Sequence, residues 1–144
     1  MTESTYSIRL AHWPQDREAL RLVREKVFVE EQHVPLVLEW DGLDPQCLHL
    51  IAEDTDGNPI GTGRLLPDGH IGRMAVLREW RGRQVGATLL QRLVEEGQKR
   101  NFSTLVLAAQ LQAIPFYEKA GFRAEGDVFA DADIPHRNMV WRKR

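Results

Sequence analysis

The alternation of apolar and polar side chains predicts a strand at the start of the chain and a helix directly after it. Residues 6–10 read Tyr-Ser-Ile-Arg-Leu, which is the pattern of a half-buried strand. Pro14 then suits the first turn of a helix. Four residues at helical spacing share one face of that helix: Leu20, Val23, Val27 and Glu31.

An acidic stretch without a clear period follows this helix. It covers residues 32–46 and contains Glu39, Trp40, Asp41 and Asp44. The lack of a period predicts a long loop or a broken helix, and loops of that length in compact domains often carry function.

The second half of the chain alternates between strand and helix patterns. Asp56 and Gly57 form a strong hairpin-turn signal, and Gly121 is a natural stop for a helix. Strands are predicted at 48–53, 59–66, 71–77, 103–108, 122–129 and 138–142, and helices at 83–100 and 113–120. This order predicts one α/β (α+β) domain over residues 1–144, with a mixed central sheet of about six or seven strands flanked by helices.

Composition excludes several classes of function. A hydrophobic content of 42% and a net charge of −2 are ordinary for a globular domain, and they provide no field that would attract nucleic acid or an anionic membrane. Cys47 is the single cysteine, so no internal disulfide can form. The chain has no signal-peptide pattern, and no apolar run reaches the roughly 20 residues that cross a bilayer. We therefore expect a cytoplasmic protein with no nucleic-acid or membrane partner.

The segment from Arg81 to Ala87 is a candidate anion site. It reads Arg-Gly-Arg-Gln-Val-Gly-Ala and lies between a predicted strand and a predicted amphipathic helix. The first amides of a helix have no acceptor within the helix, and the helix dipole adds partial positive charge there. Gly82 and Gly86 would let a phosphate approach the backbone closely. Taken alone, the segment also fits an ordinary turn with solvated arginines.

A second motif begins at Ala113 and ends at Phe122. Its sequence, Ala-Ile-Pro-Phe-Tyr-Glu-Lys-Ala-Gly-Phe, predicts a short helix that stops at a glycine and leads into a strand. Taken alone, Phe116, Tyr117 and Phe122 also fit simple packing residues.

Together, in this order and with one strand between them, the two motifs resemble the GNAT superfamily of acyl-CoA N-acyltransferases. The first matches the cofactor motif of that family at Val76, Arg81, Gly82, Gly86, Leu89 and Leu90, and the second matches at Ala113, Phe116, Tyr117, Gly121 and Phe122. Residues 27–35 and 132–139 look like the ElaA-like and YjcF-like branch. Gln84 departs from the pattern, because glycine is usual at that position. We expect helical dihedrals at Gln84, so that its amide alone contributes.

The resemblance implies a fold and a donor site. In the family, a bulge splays two parallel strands, and the pantetheine arm of acetyl-CoA lies between them. The implied cofactor residues are Met74, Ala75, Val76, Arg81, Gly82, Arg83, Gln84, Val85, Gly86, Ala87, Phe116 and Tyr117. The amides of Gly82 to Ala87 would hold the pyrophosphate, and the amide of Val76 would also stabilise the oxyanion.

The resemblance also implies a general acid, whereas the base stays open. Tyr117 resembles the residue that protonates the departing thiolate of coenzyme A. The amine must lose a proton, directly or through water, and the candidates for its acceptor are Glu31, Glu39, Asp41, His49 and His136. Carboxylates of the acidic stretch fit equally well as binding groups for a cationic substrate. The histidines show no metal-ligand spacing, so no metal is predicted.

These implications favour an N-acetyltransferase that moves the acetyl group of acetyl-CoA to a primary amine of a small molecule. Two alternatives remain at this point: a protein lysine or N-terminal amine as acceptor, and an acyl-CoA-binding module without turnover. Family resemblance also allows a homodimer. One fold hosts many acceptors, so the acceptor is not defined by the resemblance.

Overall fold

The computed structural model of the chain describes residues 6–36 and 40–143. Within those ranges, seven strands form two antiparallel sheets, in the orders β1-β2-β3-β4 and β5-β7-β6. The strands are β1 (Tyr6–Ala11), β2 (Leu48–Asp54), β3 (Pro59–Leu65), β4 (Ile71–Val76), β5 (Thr104–Gln110), β6 (Arg123–Asp131) and β7 (Ile134–Arg142). The predicted α/β architecture is confirmed, and the strand number lies in the predicted range.

Three α-helices flank the sheets in the described ranges: α1 (Trp13–Arg24), α2 (Val85–Lys99) and α3 (Ile114–Glu118). Short 3-10 turns cover Asp44–Gln46, Arg78–Trp80 and Leu111–Ala113. The predicted helix at 113–120 is therefore shorter than expected, since a 3-10 turn takes its first residue, Ala113, and the helix ends two residues early, at Glu118. No helix of the described residues is long and apolar enough to cross a membrane.

A π-helical segment, Glu25–Glu31, continues directly from α1 and was not predicted. A π turn adds one residue to the helical repeat, and apolar spacing over a single turn does not reveal it. The segment turns the chain so that Phe28 and Gln32 face the region between β4 and β5.

Helix α2 packs against the first sheet through Leu89, Leu90 and Leu93, all almost fully buried. Two glycines of β3 permit this close approach. A Cβ atom at Gly63 would lie 2.8 Å from the Leu93 side chain, and one at Gly61 would lie 3.1 Å from Leu89. Each fully buried leucine stabilises the fold by about 1.5–3 kcal/mol, so this packing fixes the start of α2 relative to β4.

Strands β4 and β5 run parallel and link the two sheets at one point. His70 and Val106 form the parallel bridge, and the Val106 amide donates to the carbonyl of Gly69 at 3.1 Å. Beyond this bridge no further ladder pairing joins the two strands in the described ranges. The strands therefore diverge. This is the splayed parallel pair that the sequence predicted.

A bulge in β4 bends the strand beside this divergence. Thr62 pairs with Ala75 and Arg64 with Gly72, so Arg73 and Met74 together oppose a single residue of β3. Arg73 takes a positive φ of 50°, and the Thr62 hydroxyl donates to its carbonyl at 3.1 Å. The bulge thus re-aims the end of β4 just before Val76.

Candidate active site

The divergence of β4 and β5 opens a cavity of about 480 Å³. Several parts of the chain line it, among them the π-helical segment, the end of β3, the β4 bulge, the end of β5, α3, and the turn between β6 and β7. Side chains that are far apart in the sequence meet there, among them Gln32, Met74, Gln110, Tyr117, Asp131 and His136. Tyr117 and His136, two predicted catalytic residues 19 positions apart in the sequence, therefore share one cavity.

The peptide groups of Val76 face the gap. The amide of the next residue, Leu77, donates to the carbonyl of Ile60 in β3 at 2.9 Å. Because successive peptide groups of a strand point to opposite edges, those of Val76 point away from β3 and toward β5. Its carbonyl accepts a hydrogen bond from Nε of Arg81 at 3.0 Å. Its amide points into the gap, where the family resemblance implies a thioester.

The guanidinium of Arg81 forms hydrogen bonds with other groups of the protein. Besides the Val76 carbonyl, its two terminal nitrogens donate to both carboxylate oxygens of Glu31, at 2.9 and 3.0 Å. Arg78 adds a longer ion pair to Glu31 at 3.7 Å. Glu31 does not line the cavity. The geometry gives Arg81 and Glu31 a shared positioning role at the end of β4.

The backbone around Gly82 and Gln84 forms an open turn before α2. Gly82 has a φ of 79°, and a Cβ atom placed there would meet nothing within 4 Å. Gln84 has φ 68° and ψ 9°, which is the left-handed region. The expectation of helical dihedrals at Gln84 is wrong: the chain reverses at this residue to enter the helix, which is why glycine suits the position.

Helix α2 offers unpaired amides to this turn. No side chain caps its start, and its first hydrogen bond runs from the Thr88 amide to the Gln84 carbonyl at 3.0 Å. The amides of Val85, Gly86 and Ala87 therefore have no acceptor within the helix. Together with the positive end of the helix dipole, they fit a pyrophosphate.

Two aromatic contacts border the same turn. The guanidinium of Arg83 lies 4.7 Å from the ring centre of Trp80, so its charge is held near the loop. The ring of Phe116 approaches Gly86, where an added Cβ atom would lie 3.5 Å from it. Phe116 therefore joins α3 to the start of α2, next to the predicted pyrophosphate site.

Aromatic contacts hold the ring of Tyr117 in place, and its hydroxyl is available to a ligand. The ring packs edge to face on Phe116, at 5.0 Å, and on Phe122, at 6.2 Å. Among the residues the structure describes, none forms a hydrogen bond with the hydroxyl. Burial raises the pKa of Tyr117 to about 12. The phenol therefore stays protonated at neutral pH.

His136 is 8% exposed and lies on β7. Its Nδ1 is 2.7 Å from the carbonyl oxygen of Ile134, which can only accept, so Nδ1 carries the proton in the neutral ring. This tautomer leaves the lone pair on Nε2. The ring also stacks on Phe129, with centroids 6.0 Å apart. His136 is thus an oriented imidazole on the cavity wall with a nitrogen able to accept a proton.

Two carboxylates of the acidic stretch are held by arginines. Asp44 is buried, and it accepts from Arg24 at 2.9 and 3.1 Å and from Arg64 at 3.0 Å. Asp41 accepts from Arg64 at 2.8 and 3.1 Å and from Arg73 at 3.3 Å. Burial opposes ionisation of Asp41, but the hydrogen bonds from Arg64 and from the Leu43 amide, with the nearby positive charges, outweigh it and lower its pKa to about 2.

His49, another base candidate, is buried away from the cavity. His49 is 1% exposed, and its Nε2 donates to the Asp44 carbonyl at 2.8 Å while its ring stacks on Trp13. Burial lowers the pKa of His49. It does not line the cavity. Glu39 lies outside the described residues.

Arg24 and Arg64 are structural residues that the sequence analysis missed. The signal for Arg24 is its spacing, because it lies four residues after Leu20 and three before Val27, on the apolar face of α1. Arg24 is 1% exposed and Arg64 is 4% exposed. An arginine at a core position indicates a buried carboxylate partner elsewhere.

The comparisons with known proteins agree with this architecture. The family model for the acetyltransferase (GNAT) domain matches residues 15–143. The chain belongs to the GNAT family. It is therefore an acyl-CoA-dependent acyltransferase, as the two motifs predicted.

Among similar proteins, the uncharacterized N-acetyltransferase YjcF of Bacillus subtilis is 38% identical over 122 residues, which cover 82% of this chain and 86% of YjcF. An acyl-CoA N-acyltransferase from Pseudomonas aeruginosa superposes with a TM-score of 0.84 at 30% identity, over 94% of this chain and 99% of that one. Escherichia coli ElaA superposes with the same TM-score of 0.84 at 27% identity, over 95% and 99% of the two chains. The predicted ElaA-like and YjcF-like branch is confirmed.

Proposed function

We propose that the chain transfers the acetyl group of acetyl-CoA to the primary amine of a small molecule. The observation that carries this proposal is the meeting of Tyr117 and His136 on one cavity wall, at the point where β4 and β5 diverge. One side chain holds a proton at neutral pH, and the other presents a lone pair.

The donor site is proposed from the backbone. The amides of Gly82 to Ala87 hold the pyrophosphate, because the start of α2 offers amides without acceptors and Gly82 leaves open space. Arg83 contributes charge beside them. The pantetheine arm follows the free edge of β4 from Met74 to Val76, between the diverging strands.

The reaction requires a base, an oxyanion donor and an acid, and the region where β4 and β5 diverge supplies one of each. The amine nitrogen attacks the thioester carbonyl while Nε2 of His136 takes its proton, directly or through a water. The Val76 amide donates to the developing oxyanion, and losing one such donor costs about 3–4 kcal/mol in other enzymes. When the tetrahedral intermediate collapses, the new C–N bond is kept and the C–S bond breaks. The Tyr117 hydroxyl then gives its proton to the departing thiolate.

The size of the cavity supports a small acceptor. Its volume of about 480 Å³ lies within the usual range for small-molecule sites, roughly 300–1,000 Å³. The β6–β7 turn borders the cavity through Asp131 and Ala132. His136 lines the same cavity.

Two measurements test the proposal. Calorimetric titration with acetyl-CoA comes first, and absence of binding would overturn the donor assignment. A panel of small amines and lysine-containing peptides is then incubated with acetyl-CoA, and release of the coenzyme A thiol is recorded. We expect release with small amines. Release with peptides alone would contradict the acceptor class, and binding without any release would indicate an acyl-CoA-binding module.

A further inference from the structure

The charges on the cavity wall are unevenly neutralised. Among the described residues, its ionisable side chains are Asp41, Arg64, His70, Arg73, Tyr117, Asp131 and His136. Asp41 is occupied by two arginines, and the side chain of Arg64, 5% exposed, is turned to Asp41 and Asp44. His70 pairs with Asp68, at 3.0 Å.

Asp131 differs from these residues. It is exposed, and its carboxylate makes no ion pair or hydrogen bond within residues 6–36 and 40–143. It is thus the one described carboxylate of the wall that has no cation beside it. A charge that is accessible in a cavity and unpaired is able to bind a ligand of opposite charge.

The strand register places Asp131 beside His136. Asp131 pairs with Ile134, and Phe129 pairs with His136, across the β6–β7 hairpin. Because alternate residues of a strand share a face, all four side chains lie on one face. Asp131 and His136 are diagonal neighbours, a relationship that puts Cβ atoms roughly 7–8 Å apart or somewhat less.

The turn that carries Asp131 is held in an uncommon backbone conformation. Ala132 has a φ of 51° and Asp133 a φ of 63°, so two non-glycine residues lie in the left-handed region. Each such residue costs about 1–2 kcal/mol. Two-residue hairpins adopt positive φ at both central residues because the twist of such a turn matches that of the flanking strands. Here this conformation fixes a tight two-residue hairpin against the cavity.

We propose that Asp131 determines acceptor specificity by binding a second positive charge of the acceptor. The substrate class is an aliphatic diamine or a related amine with a cationic group a short chain away from the reacting nitrogen. The reacting amine lies at Nε2 of His136, and the second ammonium lies at the Asp131 carboxylate. This inference rests on the proposed acetyl transfer.

Steady-state kinetics with 1,4-diaminobutane and with butylamine test the inference in wild type, Asp131→Asn and Asp133→Asn. The last variant is the matched control, because Asp133 is exposed in the same turn and does not line the cavity. We expect Asp131→Asn to lower kcat/KM for the diamine about tenfold through KM, the loss expected for a charge-assisted hydrogen bond. Butylamine kinetics should stay unchanged, and Asp133→Asn should resemble wild type with both amines.

Three results would overturn the inference: equal losses for both amines, no loss for either, or a wild-type preference for an amine that carries a carboxylate, such as β-alanine. If no amine is acetylated, the proposed function fails separately. Calorimetric binding of 1,4-diaminobutane to the protein saturated with coenzyme A then decides the role of Asp131. Weaker binding in Asp131→Asn than in Asp133→Asn supports it, and equal binding in the two variants refutes it.

Discussion

Arg81 holds Glu31 with two parallel hydrogen bonds, of 2.9 and 3.0 Å, across 50 residues of sequence. The same guanidinium donates to the carbonyl of Val76 at 3.0 Å. The π-helical segment and the end of β4 are therefore connected through one side chain. Although the motif suggests phosphate binding, the geometry makes Arg81 a positioning residue for the Val76 peptide.

Replacing Arg81 with lysine should lower kcat, because an ammonium cannot donate to three oxygens in the fixed fork of a guanidinium. We expect about a tenfold loss, which is smaller than the roughly hundredfold cost of a full 1 Å misplacement, because a lysine keeps the charge and part of the hydrogen bonding. Glu31→Gln should cause a similar loss while leaving the arginine charge in place. Both variants are measured by steady-state kinetics and by calorimetric binding of acetyl-CoA. If Arg81 served mainly as phosphate charge, Glu31→Gln would keep full kcat.

Tyr117→Phe should lower kcat about a hundredfold, the lower range for a positioned general acid. The phenylalanine ring keeps the edge-to-face contacts with Phe116 and Phe122, so acetyl-CoA affinity and the free energy of unfolding should stay near wild type.

Because the pKa of Tyr117 is raised to about 12, its phenol remains protonated below that pH. The wild-type kcat should consequently show no loss of the acid at the ordinary phenol pKa, near 10. Full kcat in Tyr117→Phe would contradict the assignment.

His136→Asn separates catalysis from structure. An asparagine amide can still donate to the Ile134 carbonyl, as Nδ1 does at 2.7 Å, but it cannot accept a proton from an amine. We expect kcat/KM to fall about a hundredfold, since no imidazole remains to take the proton of the amine. The free energy of unfolding should change little. An unchanged kcat/KM in this variant would assign the base to another group or to water.

Asp44→Asn should destabilise the fold strongly. Asp44 neutralises Arg24 and Arg64, whose side chains are 1% and 5% exposed, and removing one partner of a buried pair costs about 3–5 kcal/mol. Glu53→Gln is the control, because it weakens the exposed pair with Arg9 and should cost no more than about 1 kcal/mol. Urea denaturation measures both variants. Similar small losses would mean that the arginines find water or another acceptor.

Compared with alanine, glycine should give a higher free energy of unfolding at residue 84 and a lower one at residue 91. Gln84 is left-handed, where a Cβ atom costs about 1–2 kcal/mol, so Gln84→Gly should exceed Gln84→Ala in unfolding free energy by about 1 kcal/mol. Gln91 is an exposed position inside α2, where glycine costs about 0.5–1 kcal/mol relative to alanine. Urea denaturation of the four variants checks the reversal. The same sign at both positions would contradict the left-handed assignment.

The sequence by itself determined the order of elements and the two motifs, because both are local. Apolar spacing identifies α1 and α2, and the glycines between Arg81 and Ala87 mark the turn before α2. The role of Tyr117 was predicted from the resemblance of its motif to the family, because the motif taken alone also fits packing residues. Local periodicity and turn chemistry are properties of neighbouring residues, so a single chain read in order reveals them.

Only the tertiary structure decided which side chains meet. The partners of Asp44 come from α1 and β3, and those of Arg81 from the π-helical segment and β4. The tautomer of His136 depends on one carbonyl in its own hairpin, and the backbone at Gln84 depends on how the chain enters α2. Charge pairing is set by the packing of distant elements, whereas the proton position and the left-handed dihedrals are set by the local path of the folded backbone. Hydrophobic patterning along the chain carries no record of either.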